Sequence, residues 1–221
     1  MIPKLYGYWR SSASYRVRIT LALKGIDYEY VPVHLLRDGG EQKSVAYQTL
    51  NPAQLVPTLE IVDAVANQPL KLNQSLAIIE YLDVRFPEPK LIPDDPVQAA
   101  VVRMLALDMA ADLQPVTNLR ILQALTTTFG LPESAKGEWI QLWVTRTFAA
   151  FEKRLRDTAG RYCVGDTVTL ADVCLMPQVY NAQRFKVDLT PYPTLLRVVE
   201  NLEALPAFHA AAPEQQSDAN T

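Results

Sequence analysis

The stretch WRSSASYRVR, Trp9 to Arg18, places Arg10, Ser11 and Ser12 side by side, directly after a short apolar run and at the start of a segment with helical character. A helix start presents N–H groups without intrahelical partners and the positive end of the helix dipole, a setting that holds an anion or a thiolate. Yet the turn has no thiol of its own: its residues are Ser11, Ser12, Ala13 and Ser14. A serine here can cap the helix, which is what serine does at most such positions. As a nucleophile it would need a base, and neither His34 nor His209, the two histidines of the chain, lies near it in sequence. The third chemistry is a borrowed thiol, carried in by a bound cofactor and kept ionised by the serine hydroxyl and the helix terminus.

The elements that position this turn follow from apolar spacing. KLYGYW reads as a strand, SSASYRVRITLALKG as a helix that stops at Gly25, and YEYVPVHL as a second strand, which together make a βαβ unit. A short helix around Lys43 to Leu50, two β-rich runs within LVPTLEIVDAVANQPLKLNQS, and the amphipathic SLAIIEYLDVRF follow. Residues 1–86 thus read as an α/β thioredoxin-like domain of order β-α-β-(α)-β-β-α. The four prolines of PEPKLIPDDP mark residues 87–95 as a linker. From there the spacing stays helical, so 96–221 reads as an all-α domain ending in a polar, frayed tail, PEQQSDANT.

That fold class gives two further places a chemical reading. Val56-Pro57 stands directly before a strand, where proline is often a boundary device; in thioredoxin-like folds the bond there is cis and turns Val56 toward the reactive centre, its N–H and C=O open to a peptide-like ligand. Gln74 and Ser75 open the helix of SLAIIEYL, a place suited to a carboxylate as well as to capping. Two helix starts and one turned backbone suit a small peptide carrying carboxylates and a thiol, and glutathione is such a peptide. In the second domain, Thr169 and Asp172 of GDTVTLADV read as a capping arrangement, so Asp166 and Asp172 are assigned to structure.

Composition narrows the partners. With 49% hydrophobic and 20% charged residues over 221 positions, the chain is ordinary globular protein with enough apolar material for a core. A formal charge of -3 without a long basic run excludes nucleic acid and membrane surfaces as main partners. Cys163 and Cys174 form no CxxC and read as buried, reduced thiols; the histidines make no metal spacing, so no metal is expected. Neither a leader-like segment nor a run of about 18 apolar residues is present, and a cytoplasmic location is expected.

The runs SSASYRVRI, NPAQLVPTL, QSLAIIEYL, LQPVTNLR, GDTVTLADVCLMPQVYNAQRFKVDL and YPTLLRV resemble the zeta class of glutathione transferases over about Lys4 to Pro213. The resemblance implies the glutathione transferase fold, a homodimer, and glutathione held by Ser11, Ser12, Gln42, Val56, Gln74 and Ser75, with Gln114, Asn118 and Arg120 contributed by the helical domain. It implies Ser11 as thiol activator with Ser12 as its rival, and Arg10, Arg120 and Arg184 at the cleft, where arginine forks suit a dicarboxylate substrate. Arg16 and Arg18 point in different directions, and at least one of them is left to structural pairing. The implied activity is the cis–trans isomerisation of maleylacetoacetate in tyrosine and phenylalanine catabolism, by thiolate addition, rotation and elimination. Maleylpyruvate isomerisation, general glutathione conjugation of halogenated acids, and a non-catalytic interaction protein are the alternatives. Two departures stand out: Ala13 occupies a position where the class usually has cysteine, and VDAVANQPLKLN is longer than its usual hairpin.

Overall fold

The computed structural model describes residues 2–63 and 67–219. Contacts divide the chain into one unit of Met1–Pro89 with Leu205–Thr221 and a second of Lys90–Ala204.

The first unit is built on a four-stranded sheet in the order β2-β1-β3-β4, from β1 (Lys4–Gly7), β2 (Glu29–Pro32), β3 (Thr58–Val62) and β4 (Pro69–Asn73). β1 runs parallel to β2 and antiparallel to β3, and β3 is antiparallel to β4. Helix α1 (Ser12–Leu23) joins the two parallel strands, α2 (Val45–Gln48) precedes β3, and α3 (Ser75–Arg85) follows β4, the element order read from the sequence. The core is Leu5, Leu59 and Ile61 from the sheet, Val17, Ile19 and Leu21 from α1, and Ile78, Ile79 and Leu82 from α3. The proposed hairpin insertion falls partly on residues 64–66, which lie outside the described residues.

The register places the site at one end of this sheet. Gly7 at the end of β1 pairs with Pro32 at the end of β2, Tyr6 with Thr58 at the start of β3, and Thr58 with Asn73 at the end of β4. The turn of Arg10 and Ser11, the Val56-Pro57 bond, the Gln74-Ser75 pair and the segment leading to Gln42 therefore all adjoin the sheet at the same end of its strands.

The end of the chain departs from expectation. The expected second domain of 96–221 gives up residues 205–221 to the first unit, and the expected fraying of the tail does not occur among its described residues. Helix α10 (Pro206–Ala211, after α4–α9 given below) buries Phe208 and Ala211 in the first unit, and the chain then turns through Pro213–Gln215 to a buried Asp218. The polar tail packs on the first unit, where the buried Asp218 accepts from the half-buried Trp9 N–H and Tyr30 hydroxyl.

The second unit consists of α4 (Pro96–Leu107), α5 (Gln114–Val116), α6 (Leu119–Thr127), α7 (Ser134–Thr158), α8 (Leu170–Arg184) and α9 (Pro193–Glu203). Between α4 and α5 a π-helical stretch, Asp108–Leu113, widens what the sequence reads as one helical run; Pro115, with no N–H to donate, follows at once. The capping reading of Thr169 holds: Asp172 accepts the Thr169 N–H (2.8 Å) and hydroxyl (3.0 Å), and also the Cys163 N–H (2.8 Å). Asp166 likewise is structural, accepting the Arg161 N–H at 2.7 Å. Buried Glu152 accepts the N–H groups of Thr194 and Leu195 at the start of α9 (3.1 and 2.9 Å). Among the described residues no helix is long and apolar enough to cross a membrane.

Candidate active site

Ser11 is the N-cap of α1, with extended backbone and its Oγ accepting the Ser14 N–H at 3.2 Å. Because that bond uses the oxygen as acceptor, the hydroxyl proton is left to be donated outward. Capping and donation are thus compatible in one side chain. Ser12 and Ala13 occupy the first helical turn and are partly exposed, whereas Ser14 is fully buried and its Oγ receives the Tyr8 N–H at 3.4 Å. Both cysteines are buried, and burial beside Asp172 pushes the Cys163 thiol well above its usual range, so neither competes as a nucleophile.

Arg10 is held rather than free. Its Nη2 donates to the Tyr8 hydroxyl at 3.1 Å, and its guanidinium carbon sits 4.6 Å from the centre of the Trp9 ring. Tyr8 is in turn buried edge-on against His34, with 5.1 Å between ring centres. The Arg10 Nε is buried without a hydrogen-bond partner among the described residues. Gln42 Oε1 is in the same condition. Gln42 lies over Gly40, where φ is +109° and a Cβ would come within 2.6 Å of its amide, so a glycine is required beneath it. Two buried polar atoms left without partners at one end of a sheet are what a polar ligand would satisfy.

The Val56-Pro57 bond is cis, as the fold class implies, and Val56 is half-buried just before β3. Gln74 has φ +69°, a conformation costly for a residue with a side chain by about 1–3 kcal/mol, and it makes no side-chain capping bond. The first N–H groups of α3 are therefore uncapped by Gln74 and available to a carboxylate. Ser75 is buried, and its Oγ accepts Arg16 Nε at 3.0 Å, again leaving a hydroxyl proton to donate. Arg16 thus ties the start of α3 to α1, a positioning role that the sequence alone does not reveal across 59 positions. Arg18 is also internal, directed to the backbone of Tyr8, Trp9 and Ala211, so both arginines of the helix are structural.

In the second unit, Gln114 begins α5 and is half-buried. Asn118 is the N-cap of α6, its Oδ1 accepting the Arg120 N–H at 3.1 Å, and Arg120 is exposed. Those three residues lie within seven positions of one another around the break between α5 and α6. Arg184 is exposed in the last turn of α8 with its guanidinium carbon 4.6 Å from the centre of the Phe185 ring.

Comparison with known proteins bears on these features. Residues 5–90 match the family model for the glutathione S-transferase N-terminal domain, and residues 121–210 match that for the C-terminal domain. A probable maleylacetoacetate isomerase of Vibrio cholerae serotype O1 is 53% identical over 97% of either chain. A holo structure of maleylpyruvate isomerase, described as a bacterial zeta-class glutathione S-transferase, superposes with a TM-score of 0.90 at 45% identity, covering 98% of this chain and 99% of that one. Maleylacetoacetate isomerase from Anaeromyxobacter dehalogenans 2CP-1, with glutathione bound in its active site, gives a TM-score of 0.88 at 46% identity over 98% and 97% of the two chains.

Proposed function

The chain belongs to the zeta class of the glutathione S-transferase family, and on that premise we propose that it is a glutathione-dependent isomerase converting maleylacetoacetate to fumarylacetoacetate. The observation that carries this reading is the Ser11 hydroxyl, poised to donate at a helix N-terminus in a turn with no thiol of its own.

The cis double bond of the substrate cannot rotate while it remains double, and bound glutathione supplies the thiolate whose reversible addition frees it. A free thiol has a pKa of about 8.5, so near neutral pH only a few per cent is ionised. Ser11 raises that fraction by donating its proton as a hydrogen bond to the sulfur, helped by the positive end of α1. Gln74, Ser75 and the uncapped start of α3 receive a carboxylate of the tripeptide, Val56 its backbone, and Gln42 a further polar group; Ser12 lies within the same turn. Arg10, preset by Tyr8 and Trp9, receives a carboxylate of the substrate before addition. Ala13 carries no group that takes part.

On the same footing the protein works as a cytoplasmic homodimer, a reading that rests on its family membership. The test of the substrate is direct comparison of kcat/KM for maleylacetoacetate and maleylpyruvate in the presence of glutathione. A higher value for maleylacetoacetate is expected. A higher value for maleylpyruvate would assign the shorter diacid instead, and turnover of neither would refute the isomerase reading.

A further inference from the structure

The turn that carries Arg10 and Ser11 is held from below by the far end of the chain. The Trp9 N–H donates to Asp218 Oδ2 at 3.1 Å, across 209 positions. The same oxygen accepts the Tyr30 hydroxyl from β2 at 3.2 Å, and Asp218 is 5% exposed. The carbonyls of the turn are fixed as well. Arg18, fully buried, donates through Nη2 to the Trp9 carbonyl at 2.9 Å and through Nη1 toward the Tyr8 carbonyl at 3.5 Å, while its Nε is anchored on the Ala211 carbonyl at 3.0 Å.

From this geometry we infer that Asp218 is a positioning residue for thiol activation, setting the Trp9 peptide and, through it, the direction in which Ser11 presents its hydroxyl. The inference rests on the reading of Ser11 as thiol activator given above.

The chain of cause is short. Ser11 is two peptide bonds from the Trp9 N–H, and its own N–H donates to the Tyr8 carbonyl at 2.9 Å, so the turn 8–11 moves as one piece. That bond, the Tyr8 N–H on Ser14 Oγ (3.4 Å) and the Ser14 N–H on Ser11 Oγ (3.2 Å) tie the turn to α1, and a turn held only from the helix side can rock about the end of β1. Asp218 and Arg18 remove this freedom, one holding an N–H and the other two carbonyls. The charges match the arrangement: Arg18 is taken out of water with the Asp218 carboxylate as its acidic neighbour, and the surrounding hydroxyls of Tyr15, Tyr28 and Tyr30 add no positive charge. Burial raises Tyr30 far above the ordinary tyrosine range, so it remains a hydroxyl donor to Asp218 at all working pH values. A hydroxyl misdirected by a fraction of an ångström weakens its bond to a thiolate while leaving glutathione's carboxylate contacts at α3 untouched. The expected signature is therefore a change in thiol ionisation and kcat, with little change in glutathione affinity.

The experiment titrates the bound glutathione thiol by its ultraviolet thiolate absorbance, in parallel with the pH profile of isomerisation, for wild type, Asp218→Ala, Asp218→Asn and Tyr30→Phe. Asp218→Ala is expected to raise the pKa of the bound thiol by about one unit, to lower kcat up to about tenfold near neutral pH, and to change the Kd for glutathione less than threefold. Asp218→Asn, whose amide oxygen still accepts from Trp9, is expected to recover most of both effects. Tyr30→Phe leaves the Trp9 bond in place, keeps the fold if Asp218→Ala does not fold, and is expected to shift the thiol in the same direction by a smaller amount. An unshifted bound thiol in Asp218→Ala, or in Tyr30→Phe where only that variant folds, would overturn the inference. A wild-type protein that ionises bound glutathione but turns over neither diacid would refute the isomerase reading and leave the titration of the variants to decide this one.

Discussion

Replacing Ser11 separates its two roles, since each has its own magnitude. Ser11→Ala removes the cap bond to the Ser14 N–H, worth about 1 kcal/mol at an N-cap, which lowers Tm by roughly 2–4 °C for a chain of this size. It also removes the hydrogen bond donated to the thiolate; a bond to a charged partner is worth about 1.5–3 kcal/mol, or roughly 10- to 150-fold in kcat/KM. Ser11→Gly loses the same hydroxyl but keeps helix-start stability to within about a few tenths of a kcal/mol, because glycine is tolerated at the N-cap. Ser11→Gly is therefore expected to have near-wild-type Tm and the catalytic defect of Ser11→Ala, while Ser12→Ala keeps kcat/KM within about threefold of wild type, having no donated bond to lose. Thermal unfolding and steady-state isomerisation at several pH values read both quantities. Wild-type kcat/KM in Ser11→Gly, or equal losses from Ser11→Ala and Ser12→Ala, would refute the assignment of Ser11 as activator.

Two other perturbations probe the scaffold around that site. Gln74→Gly relieves a positive φ costing about 1–3 kcal/mol and gives back about 0.4–1 kcal/mol through the unfolded chain, so stability is expected to hold or rise while glutathione affinity falls about tenfold; calorimetric titration and denaturation check the pair. Lys24 Nζ is buried and donates to Asp83 Oδ1 (2.9 Å) and to the carbonyls of Phe86 (2.7 Å) and Pro89 (2.9 Å), so Lys24→Ala takes the cation away from a buried carboxylate. Its expected cost is about 3–5 kcal/mol by urea denaturation, and a loss below about 1 kcal/mol would contradict the account of that junction.

What could be read in advance and what could not divides along sequence separation. The order of strands and helices in the first unit and the caps at Ser11 and Thr169 are local patterns, set by residues a few positions apart, and the cis bond at Pro57 follows only from the fold class that this order implies. Arg16 on Ser75 and Asp218 on Trp9 and Tyr30 join residues 59 to 209 positions apart, and no local signal marks them. The tail illustrates the difference: PEQQSDANT is polar, and polarity by itself argues for fraying, yet Pro213 is buried, Gln216 bonds the Ala210 and Ala212 carbonyls, and Asp218 accepts from Trp9 and Tyr30. Similarly, the π-helical stretch at Asp108 keeps helical spacing and so hides within a helical reading; its Asp108 is paired at 2.8 and 3.0 Å with Arg154, 46 positions away.

The central claim is that the nucleophile belongs to glutathione and that the lack of a thiol in the turn of Ser11, Ser12, Ala13 and Ser14 costs the chemistry nothing. It is tested by following loss of the cis isomer of maleylacetoacetate in protein freed of glutathione, then after adding glutathione in an amount far below that of substrate. No isomerisation before the addition, and complete conversion after it with the glutathione recovered unchanged, is the result predicted. Isomerisation in the absence of glutathione, or consumption of one glutathione for each product formed, would contradict it.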